Sequence, residues 1–322
     1  MTTREQLLTL LEENPGTYFS GEEIARRLGV SRAAVWKAMK ILRQEGLPID
    51  AVTNRGYRLA PASDILSPQA LSGYLPFPAD RLTVLNQVSS TNSWIRDRAE
   101  EGAPEGTTVV ANCQSAGRGR YGRSFYSPGD TGIYLSILLR PDQYTLLQVP
   151  TLTAVAAVTL CQAIQEVCGV SPQIKWVNDI FLEGKKVCGI LSQASIGMES
   201  GCMDYAVLGV GINLYPPREP FPPELASIAG WILDAPSPGC KNRLAGTFLS
   251  RFWQVYTHPQ PEEILREYRS RSLILGKPIT VLEGQHSYKA KALDIDQDFR
   301  LVVEPEDGEI RRLSYGEVHI SL

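Results

Sequence analysis

The sequence predicts an α+β protein in three parts, and three observations lead to this prediction. Residues 1–63 carry helix-capping patterns and end in a short hairpin. Residues 64–272 alternate apolar strand segments with helical segments, and residues 273–322 contain five short strand segments separated by turn residues. A chain of 322 residues is long enough for two or three domains of roughly 100–200 residues each. We therefore expect domain boundaries near residues 63 and 272.

Composition excludes several classes of protein. A hydrophobic content of 43% supports buried cores, and a net charge of −3 means that any nucleic-acid-binding surface must be local. The six cysteines have no metal-ligand spacing, and the three histidines all follow residue 257, so we expect no metal centre formed by the chain and no histidine-based triad. Reduced thiols and the lack of an apolar N-terminal segment indicate a cytoplasmic protein.

An uncharged stretch at residues 143–165 raises the question of a membrane span. Gln148, Pro150 and Gln162 interrupt it, together with several threonines and alanines. These residues favour a buried central helix, and no membrane partner is expected.

The N-terminal residues contain three helix patterns. Thr3-x-x-Gln6 and Ser20-x-x-Glu23 each match a capping box, which marks the start of a helix, and Gly29 ends the second helix. The third helix, at about 31–43, is strongly basic and contains no acid. Its charged residues are Arg32, Lys37, Lys40 and Arg43.

Residues 49–59 follow as a small hairpin that turns at residues 54–56. Two capped helices, a basic third helix and a basic hairpin together resemble a winged helix-turn-helix unit, with recognition helix 31–43 and wing 49–59. The residues that would face DNA are Ser31, Arg32, Trp36, Lys37, Lys40, Arg55 and Arg58. A small helical domain that binds protein, or binds nothing, is the alternative.

The central region contains a Gly-Arg-Gly-Arg-Tyr-Gly-Arg segment at residues 117–123, here called the arginine loop. Three close arginines repel one another, and glycines let backbone N–H groups approach a ligand, so the loop predicts an anion site. Its sequence also matches the dinucleotide-binding fingerprint G-x-G-x-x-G, and Asp142 stands near the position of the acidic residue that this fingerprint expects downstream. That fingerprint requires a helix after the glycines, and turn residues follow here. A solvated basic loop remains the other interpretation of this segment alone.

Polar side chains accompany the strand segments around this loop. Ser89–Asn92 lies between a strand at 83–88 and a helix, where its hydroxyls and amide could simply cap the helix. Residues 174–191 are predicted to form a hairpin, with one strand to residue 182, a turn at 183–184 and a second strand to residue 191. This hairpin carries Lys175, Asn178, Asp179 and Lys186. The strand at 205–213 contains Gly209 and Gly211, which clear one face of the sheet for a ligand.

In order and spacing, these segments resemble the biotin–protein ligases within the biotin/lipoate ligase superfamily. The matching segments are Ser90-Thr91-Asn92, Gln114-x-x-Gly117-Arg-Gly-Arg120, Lys175-Trp-x-Asn178-Asp179, Lys186-x-x-Gly189-Ile-Leu191 and Gly209-x-Gly211-Ile-Asn213. With the N-terminal unit, the whole chain resembles the family's bifunctional members, which also repress transcription. Val177 stands where the family usually has proline.

The resemblance implies residue roles. The biotin-binding residues would be Ser90, Thr91, Asn92, Gln114, Gly117, Arg118, Gly119, Arg120, Lys186, Gly189, Gly209 and Gly211. The ATP or adenylate ligands would be Arg120, Arg123, Asn178, Lys186, Asn213 and Trp231. The catalytic residues would be Arg118, Arg120, Lys186 and Asp179, and whether Asp179 binds Mg²⁺ or orients Lys186 is open.

The resemblance also implies cofactors and partners. Biotin and ATP with Mg²⁺ would give biotinyl-5′-AMP, and a lysine of the biotin carboxyl carrier protein would accept the biotin. Biotinyl-5′-AMP would also be the corepressor, so that the liganded chain forms a homodimer on operator DNA. A proline-dense segment at 215–223 would lead into a flap that carries Trp231, helices would close the region at about 241–255 and 262–272, and the C-terminal strands would form an SH3-like barrel. A lipoate–protein ligase and a transcription factor that only senses ligand are the alternatives.

Overall fold

The computed structural model describes residues 2–14, 16–44, 49–60, 64–141, 149–196, 203–284 and 286–320. Its strands form three sheets: a two-stranded hairpin, a mixed sheet of seven strands and an antiparallel sheet of five strands. The α+β class predicted from the sequence is confirmed. Residues 61–63 of the predicted linker lie outside the described residues.

Three helices build the N-terminal unit: α1 (Thr3–Glu13), α2 (Gly21–Leu28) and α3 (Arg32–Gln44). The capping box of α1 lies one residue earlier than predicted. Thr2 Oγ1 accepts from the Glu5 N–H at 3.3 Å, and Glu5 Oε2 accepts from the Thr2 N–H at 2.8 Å, so Thr3 and Gln6 do not form it. Ser20 caps α2 as predicted. Apolar side chains from the three helices form one buried core.

The wing consists of β1 (Ile49–Val52) and β2 (Gly56–Leu59), paired antiparallel. Phe19 adds a third line of backbone pairing, because its N–H donates to the Tyr57 carbonyl at 2.8 Å and its carbonyl accepts from the Tyr57 N–H at 2.9 Å. Gly56 has a φ of +96°, and a Cβ there would overlap the Phe19 carbonyl. The wing is therefore packed on the helical core through a position that only glycine can fill.

The seven-stranded sheet has the order β3-β4-β5-β9-β8-β7-β6. Its strands are β3 (Leu82–Leu85), β4 (Thr108–Ala111), β5 (Gly132–Leu139), β6 (Gln173–Lys175), β7 (Asp179–Leu182), β8 (Lys185–Ile196) and β9 (Met203–Asn213). Among these seven strands, β3 and β4 form the one parallel pair. The single strand predicted at 174–182 is wrong: the chain reverses at residues 176–178, and Lys175 pairs with Asp179 across the turn. The peptide bond between Trp176 and Val177 is cis.

The helices of the central region are α4 (Pro68–Ser72), α5 (Thr91–Glu100), α6 (Val149–Cys168), α7 (Pro223–Ala226), α8 (Cys240–Thr257) and α9 (Pro261–Ser270). Of these, α4, α5, α6 and α8 contact the seven-stranded sheet, whereas α9 packs against α6 and a strand of the C-terminal sheet. By length and composition α6 could cross a membrane, but 67% of its apolar window is buried inside the protein, where it packs against α8 and the sheet. It is the buried helix that the uncharged stretch predicted, and residues 142–148 of that region lie outside the described residues.

The C-terminal sheet has the order β13-β12-β11-β10-β14. Its strands are β10 (Pro278–Glu283), β11 (His286–Ile295), β12 (Leu301–Pro305), β13 (Arg311–Leu313) and β14 (Glu317–Ile320). Its core is continuous with that of the central sheet. Trp176 Nε1–H donates to the Phe299 carbonyl at 3.0 Å, and the Tyr268 hydroxyl donates to the Val177 carbonyl at 3.2 Å. These buried hydrogen bonds attach the β6–β7 turn to α9 and the C-terminal sheet.

Candidate active site

A cavity of about 580 Å³ lies over β7, β8 and β9, bounded by the start of α5, the arginine loop, residues 225–229 and β14. It brings together most of the predicted ligand-binding residues. Those lining it are Ser90, Thr91, Asn92, Gln114, Arg118, Gly119, Arg120, Arg123, Asn178, Asp179, Lys186, Gly189, Gly209, Gly211 and Asn213. Gly117 and Trp231 are not among the lining residues.

One end of the cavity carries uncharged hydrogen-bonding groups. The Thr91 N–H and hydroxyl both donate to Gln114 Oε1, at 2.8 and 3.1 Å, and Gln114 Nε2 donates to Ser127 Oγ at 2.9 Å. Ser90 Oγ caps α5. Ser90 and Thr91 are buried, so this network fixes the positions of their hydroxyls before any ligand arrives.

Asn92 has a structural role that the sequence did not indicate. Its amide nitrogen donates to Gln193 Oε1 at 2.9 Å, and its amide oxygen accepts from the Ser136 hydroxyl at 2.7 Å. A Cβ at Gly209 would overlap this amide oxygen. Gly209 is therefore needed because Asn92 connects α5 to β5 and β8 through the space above it.

Phe125 lies over two other glycines of the sheet, Gly211 and Gly189. Its ring would overlap a Cβ at Gly211 and would lie 3.1 Å from a Cβ at Gly189. The expectation that Gly209 and Gly211 clear the sheet directly for a ligand is thus corrected. The space above them is shared with Asn92 and Phe125, and Phe125 is a lining residue that the sequence analysis missed.

The arginine loop closes on itself as a narrow turn. The Gly119 N–H donates to the Arg123 carbonyl at 2.7 Å, and the Phe125 N–H donates to the Gly117 carbonyl at 2.8 Å. A Cβ at Gly117 would overlap the Phe125 carbonyl, so this glycine permits the close approach of the two loop segments. Apart from a short 3₁₀ turn at Arg120–Gly122, β5 is the next element, so the helix of a dinucleotide fingerprint is missing.

Most cations of the cavity are held by polar partners. Lys186 Nζ lies 2.6 Å from Asp179 Oδ1, with 28% and 22% of the two side chains exposed. Arg123 forms an ion pair with Glu317 of β14 at 2.9 Å. Arg120 donates to Asn178 Oδ1 at 3.0 Å, and Asn178 Nδ2 donates to the Ile190 carbonyl at 3.0 Å.

Lys175 is the remaining partly buried cation. Its Nζ lies 5.6 Å from the ring centroid of Phe181. Burial lowers the pKa of Lys175, with the nearby Asp179 acting in the opposite direction. The sequence placed Lys175 in the hairpin without assigning it a role.

The flap pairs with β8 beside Lys186. The Lys186 N–H donates to the Ile228 carbonyl at 2.8 Å, the Gly230 N–H donates to the Lys186 carbonyl at 2.9 Å, and Asn213 Nδ2 donates to the Gly230 carbonyl at 3.1 Å. Trp231 donates to Asp234 at 2.8 Å and stacks on Phe221, with 6.3 Å between ring centroids. Since Phe221 lines the cavity, Trp231 lies one ring away from it.

The N-terminal unit presents a basic, partly aromatic surface. Trp36 is 60% exposed, and Lys40 Nζ lies 5.5 Å from its ring centroid. Arg32, Lys37 and Arg55 are also exposed. Two of the predicted DNA ligands have internal partners: Ser31 Oγ accepts from the Ala34 N–H at 3.2 Å, and Arg58 pairs with Asp50 at 2.8 Å.

Three family models match the chain. Residues 3–58 match the HTH domain, residues 84–213 match the Biotin/lipoate A/B protein ligase family, and residues 274–320 match the Biotin protein ligase C terminal domain. The matched ranges correspond to the helical unit, most of the seven-stranded sheet and the C-terminal sheet.

Curated relatives match over the full length of the chain. The Bifunctional ligase/repressor BirA of Bacillus subtilis is 34% identical over 99% of both chains. The Escherichia coli protein of the same name is 28% identical over 98% of this chain and 96% of its own. Among solved structures, the biotin protein ligase from Aquifex aeolicus in complex with biotin and ATP has a TM-score of 0.62 and 26% identity, and the match covers 74% of this chain and 98% of that one.

Proposed function

Because the chain belongs to the family of bifunctional biotin ligases and repressors, we propose that it joins biotin to ATP, transfers the biotin to a carrier-protein lysine, and represses transcription with the adenylate as corepressor. The observation that carries the ligase part is the cavity. It has uncharged hydrogen-bonding groups at one end and five lysines and arginines elsewhere: Arg118, Arg120, Arg123, Lys175 and Lys186.

Biotin would bind with its ureido ring at the uncharged end. Ser90 and Thr91 hydroxyls and the Gln114 amide suit a urea group, which offers one acceptor and two donors. The apolar ring and chain of biotin would lie against Phe125, whose ring covers Gly189 and Gly211. The carboxylate would then point toward Lys186 and Arg120, and the buried Asn92 would hold α5 in place rather than bind biotin directly.

In the first step, a biotin carboxylate oxygen attacks the α-phosphorus of ATP. The bond from this phosphorus to the β-phosphate oxygen breaks, and pyrophosphate leaves with the electron pair. Lys186 would bind the carboxylate and the α-phosphate, and Arg118 and Arg120 would stabilise the charge that develops on the phosphoryl oxygens.

In the second step, the amine of the acceptor lysine attacks the biotinyl carbonyl and AMP leaves. We propose the biotin carboxyl carrier protein as acceptor. The incoming amine is the nucleophile, so the chain needs to supply charge stabilisation and positioning rather than a nucleophile of its own.

The adenine would lie at the flap. Asn178 and Asn213 each use one amide N–H internally, and both line the cavity, so each amide keeps hydrogen-bonding capacity for a base edge. Trp231 would stack on the base once Phe221 moves aside. The ion pair between Asp179 and Lys186 supports an orienting role for Asp179. We propose that Mg²⁺ enters bound to the phosphates of ATP, because Mg²⁺ is usually held by substrate phosphates and one or two carboxylates rather than by a cage of protein ligands.

The repressor part uses the N-terminal unit. Arg32, Trp36, Lys37 and Lys40 of α3 would face the major groove, and Arg55 in the wing would contact the phosphate backbone or minor groove. Ser31 and Arg58 would position α3 and the wing through their internal partners. A homodimer formed with bound biotinyl-5′-AMP would match a two-fold operator.

The ligase proposal is tested by biotin-dependent exchange of radiolabel between pyrophosphate and ATP, with lipoate as the control acid and Arg120→Gly as the variant. Exchange with biotin alone, impaired in the variant, supports the proposal. Exchange with lipoate instead would make the chain a lipoate ligase, and exchange with neither acid would leave a ligand-sensing DNA-binding protein.

Repression is tested separately, by operator binding with and without biotin and ATP together. The operator is first isolated from random duplex DNA with the liganded protein. Tighter binding in the presence of both ligands is expected, and equal affinity in their absence would refute the corepressor role.

A further inference from the structure

Lys175 differs in its contacts from three other cations that line the cavity. Lys186, Arg123 and Arg120 are held by Asp179, Glu317 and Asn178. For Lys175, the part of the chain that the structure describes provides a ring contact with Phe181 and no carboxylate at ion-pair distance. A half-buried ammonium with no carboxylate in contact is costly to hold, because the Asp179 and Glu317 charges offset only part of its lost hydration.

The position of Lys175 in the sheet separates it from the proposed biotin-binding end. It lies on β6, at the edge of the seven-stranded sheet, whereas Gly209 and Gly211 lie on β9. Three strand spacings separate β6 from β9, which corresponds to about 14 Å. Lys186 on β8 lies between them. The Asp179 and Glu317 carboxylates and the Arg123 guanidinium act on Lys175 electrostatically, so it belongs to the charged end of the cavity.

We propose that Lys175 is a further catalytic residue, which binds the β- and γ-phosphates of ATP and stabilises the pyrophosphate as it leaves. This inference rests on the proposed adenylation of biotin. With the carboxylate and α-phosphate at Lys186, the rest of the triphosphate extends away from β9, in the direction of β6. Arg123, once separated from Glu317, would be the second cation at the same phosphates.

The chemistry favours a cation at this position in the first step only. As the bond between the α-phosphorus and the β-phosphate oxygen breaks, negative charge accumulates on pyrophosphate, and a preorganised ammonium stabilises it. In the second step the leaving group is AMP and the pyrophosphate has gone. A residue that contacts only the pyrophosphate therefore affects the first step and leaves the second unchanged.

The experiment uses the full-length protein with Lys175→Met, which keeps the length of the side chain and removes the charge, and Lys175→Arg, which keeps the charge. Lys291→Met, an exposed lysine on β11, is the matched control. One assay measures biotin-dependent pyrophosphate–ATP exchange, and another measures single-turnover transfer of biotin from purified biotinyl-5′-adenylate to the carrier domain. Biotin affinity and thermal unfolding report on folding.

We expect Lys175→Met to lower kcat/KM for ATP in the exchange assay by 10- to 100-fold, roughly the loss of one charged phosphate contact. Transfer from the preformed adenylate should stay within about twofold of the unmodified protein, and Lys175→Arg should recover part of the exchange. Unchanged exchange in Lys175→Met, or equal losses in both assays, would overturn the inference. If the unmodified protein showed no exchange, the proposed function itself would fail, which is a different result.

Discussion

The ion pair between Asp179 and Lys186 gives a quantitative prediction for Asp179→Asn. Amide and carboxylate have nearly the same shape, so the substitution removes the charge and leaves the packing. The 2.6 Å contact is an ion pair without hydrogen-bond alignment, and each side chain is about one quarter exposed. Its contribution therefore lies between the up to about 1 kcal/mol of an exposed ion pair and the about 3–5 kcal/mol lost when a fully buried pair is broken, at about 1.5–3 kcal/mol.

If Asp179 orients Lys186, Asp179→Asn removes the free energy of this ion pair from the stabilisation of the adenylation transition state. A loss of about 1.5–3 kcal/mol corresponds to a decrease of about 10- to 150-fold in kcat/KM for the exchange reaction. The assay is pyrophosphate–ATP exchange measured over a range of Mg²⁺ concentrations. An orienting role predicts an unchanged Mg²⁺ concentration at half-maximal rate. A Mg²⁺ requirement raised tenfold or more would refute this reasoning and identify Asp179 as a metal ligand.

Three further predictions concern other parts of the molecule. Gly209→Ala places a methyl group on the Asn92 amide oxygen and should weaken biotin binding by about 5- to 150-fold in calorimetric titration, because overpacking costs about 1–3 kcal/mol, whereas Gly73→Ala, whose Cβ would meet open space away from the cavity, should not. Tyr215→Phe removes the 2.5 Å hydrogen bond from the buried Tyr215 hydroxyl to the partly buried Asp64 and should lower the free energy of unfolding by about 1.5–3 kcal/mol in denaturant titration, with the exposed Tyr315→Phe unchanged. Arg55→Ala should weaken operator binding and reduce its dependence on salt by about one unit of slope while exchange activity stays the same, and a salt slope equal to that of the unmodified protein would place Arg55 away from phosphates.

The sequence predicted helices and strands correctly where all the residues that determine an element lie within one segment of the chain. The capping residues of α2, the basic third helix, the wing and the buried α6 all follow from local spacing. The start of α1 was off by one residue because Thr2 and Thr3 are chemically equivalent as caps, and only the backbone shows that Thr2 is used. The turn between β6 and β7 was missed because Trp176 and Val177 are apolar residues that read as a continuing strand.

The site was harder to predict where its contacts join distant segments. The pairing of Arg123 with Glu317 spans 194 residues of sequence, and Asn92 reaches Gln193 across 101. Phe125 could have been noticed as an aromatic residue two positions after the arginine loop. Its position over Gly189 and Gly211 depends on how the loop folds back on itself. For these residues the sequence shows which chemical groups are present, but only the folded structure shows which residues contact them.

These long-range contacts make the C-terminal sheet a wall of the cavity rather than an attached module. Glu317 holds Arg123 from β14, and the Phe299 carbonyl accepts a hydrogen bond from the buried Trp176 at the turn that precedes Asn178 and Asp179. The turn and the arginine loop thus depend on residues that follow position 273. A change in the C-terminal sheet should therefore affect the charged end of the cavity more than the uncharged end, which is built from the start of α5 and the loop residues Gln114 and Ser127. ATP-related steps should therefore be more sensitive than biotin binding to substitutions in β14.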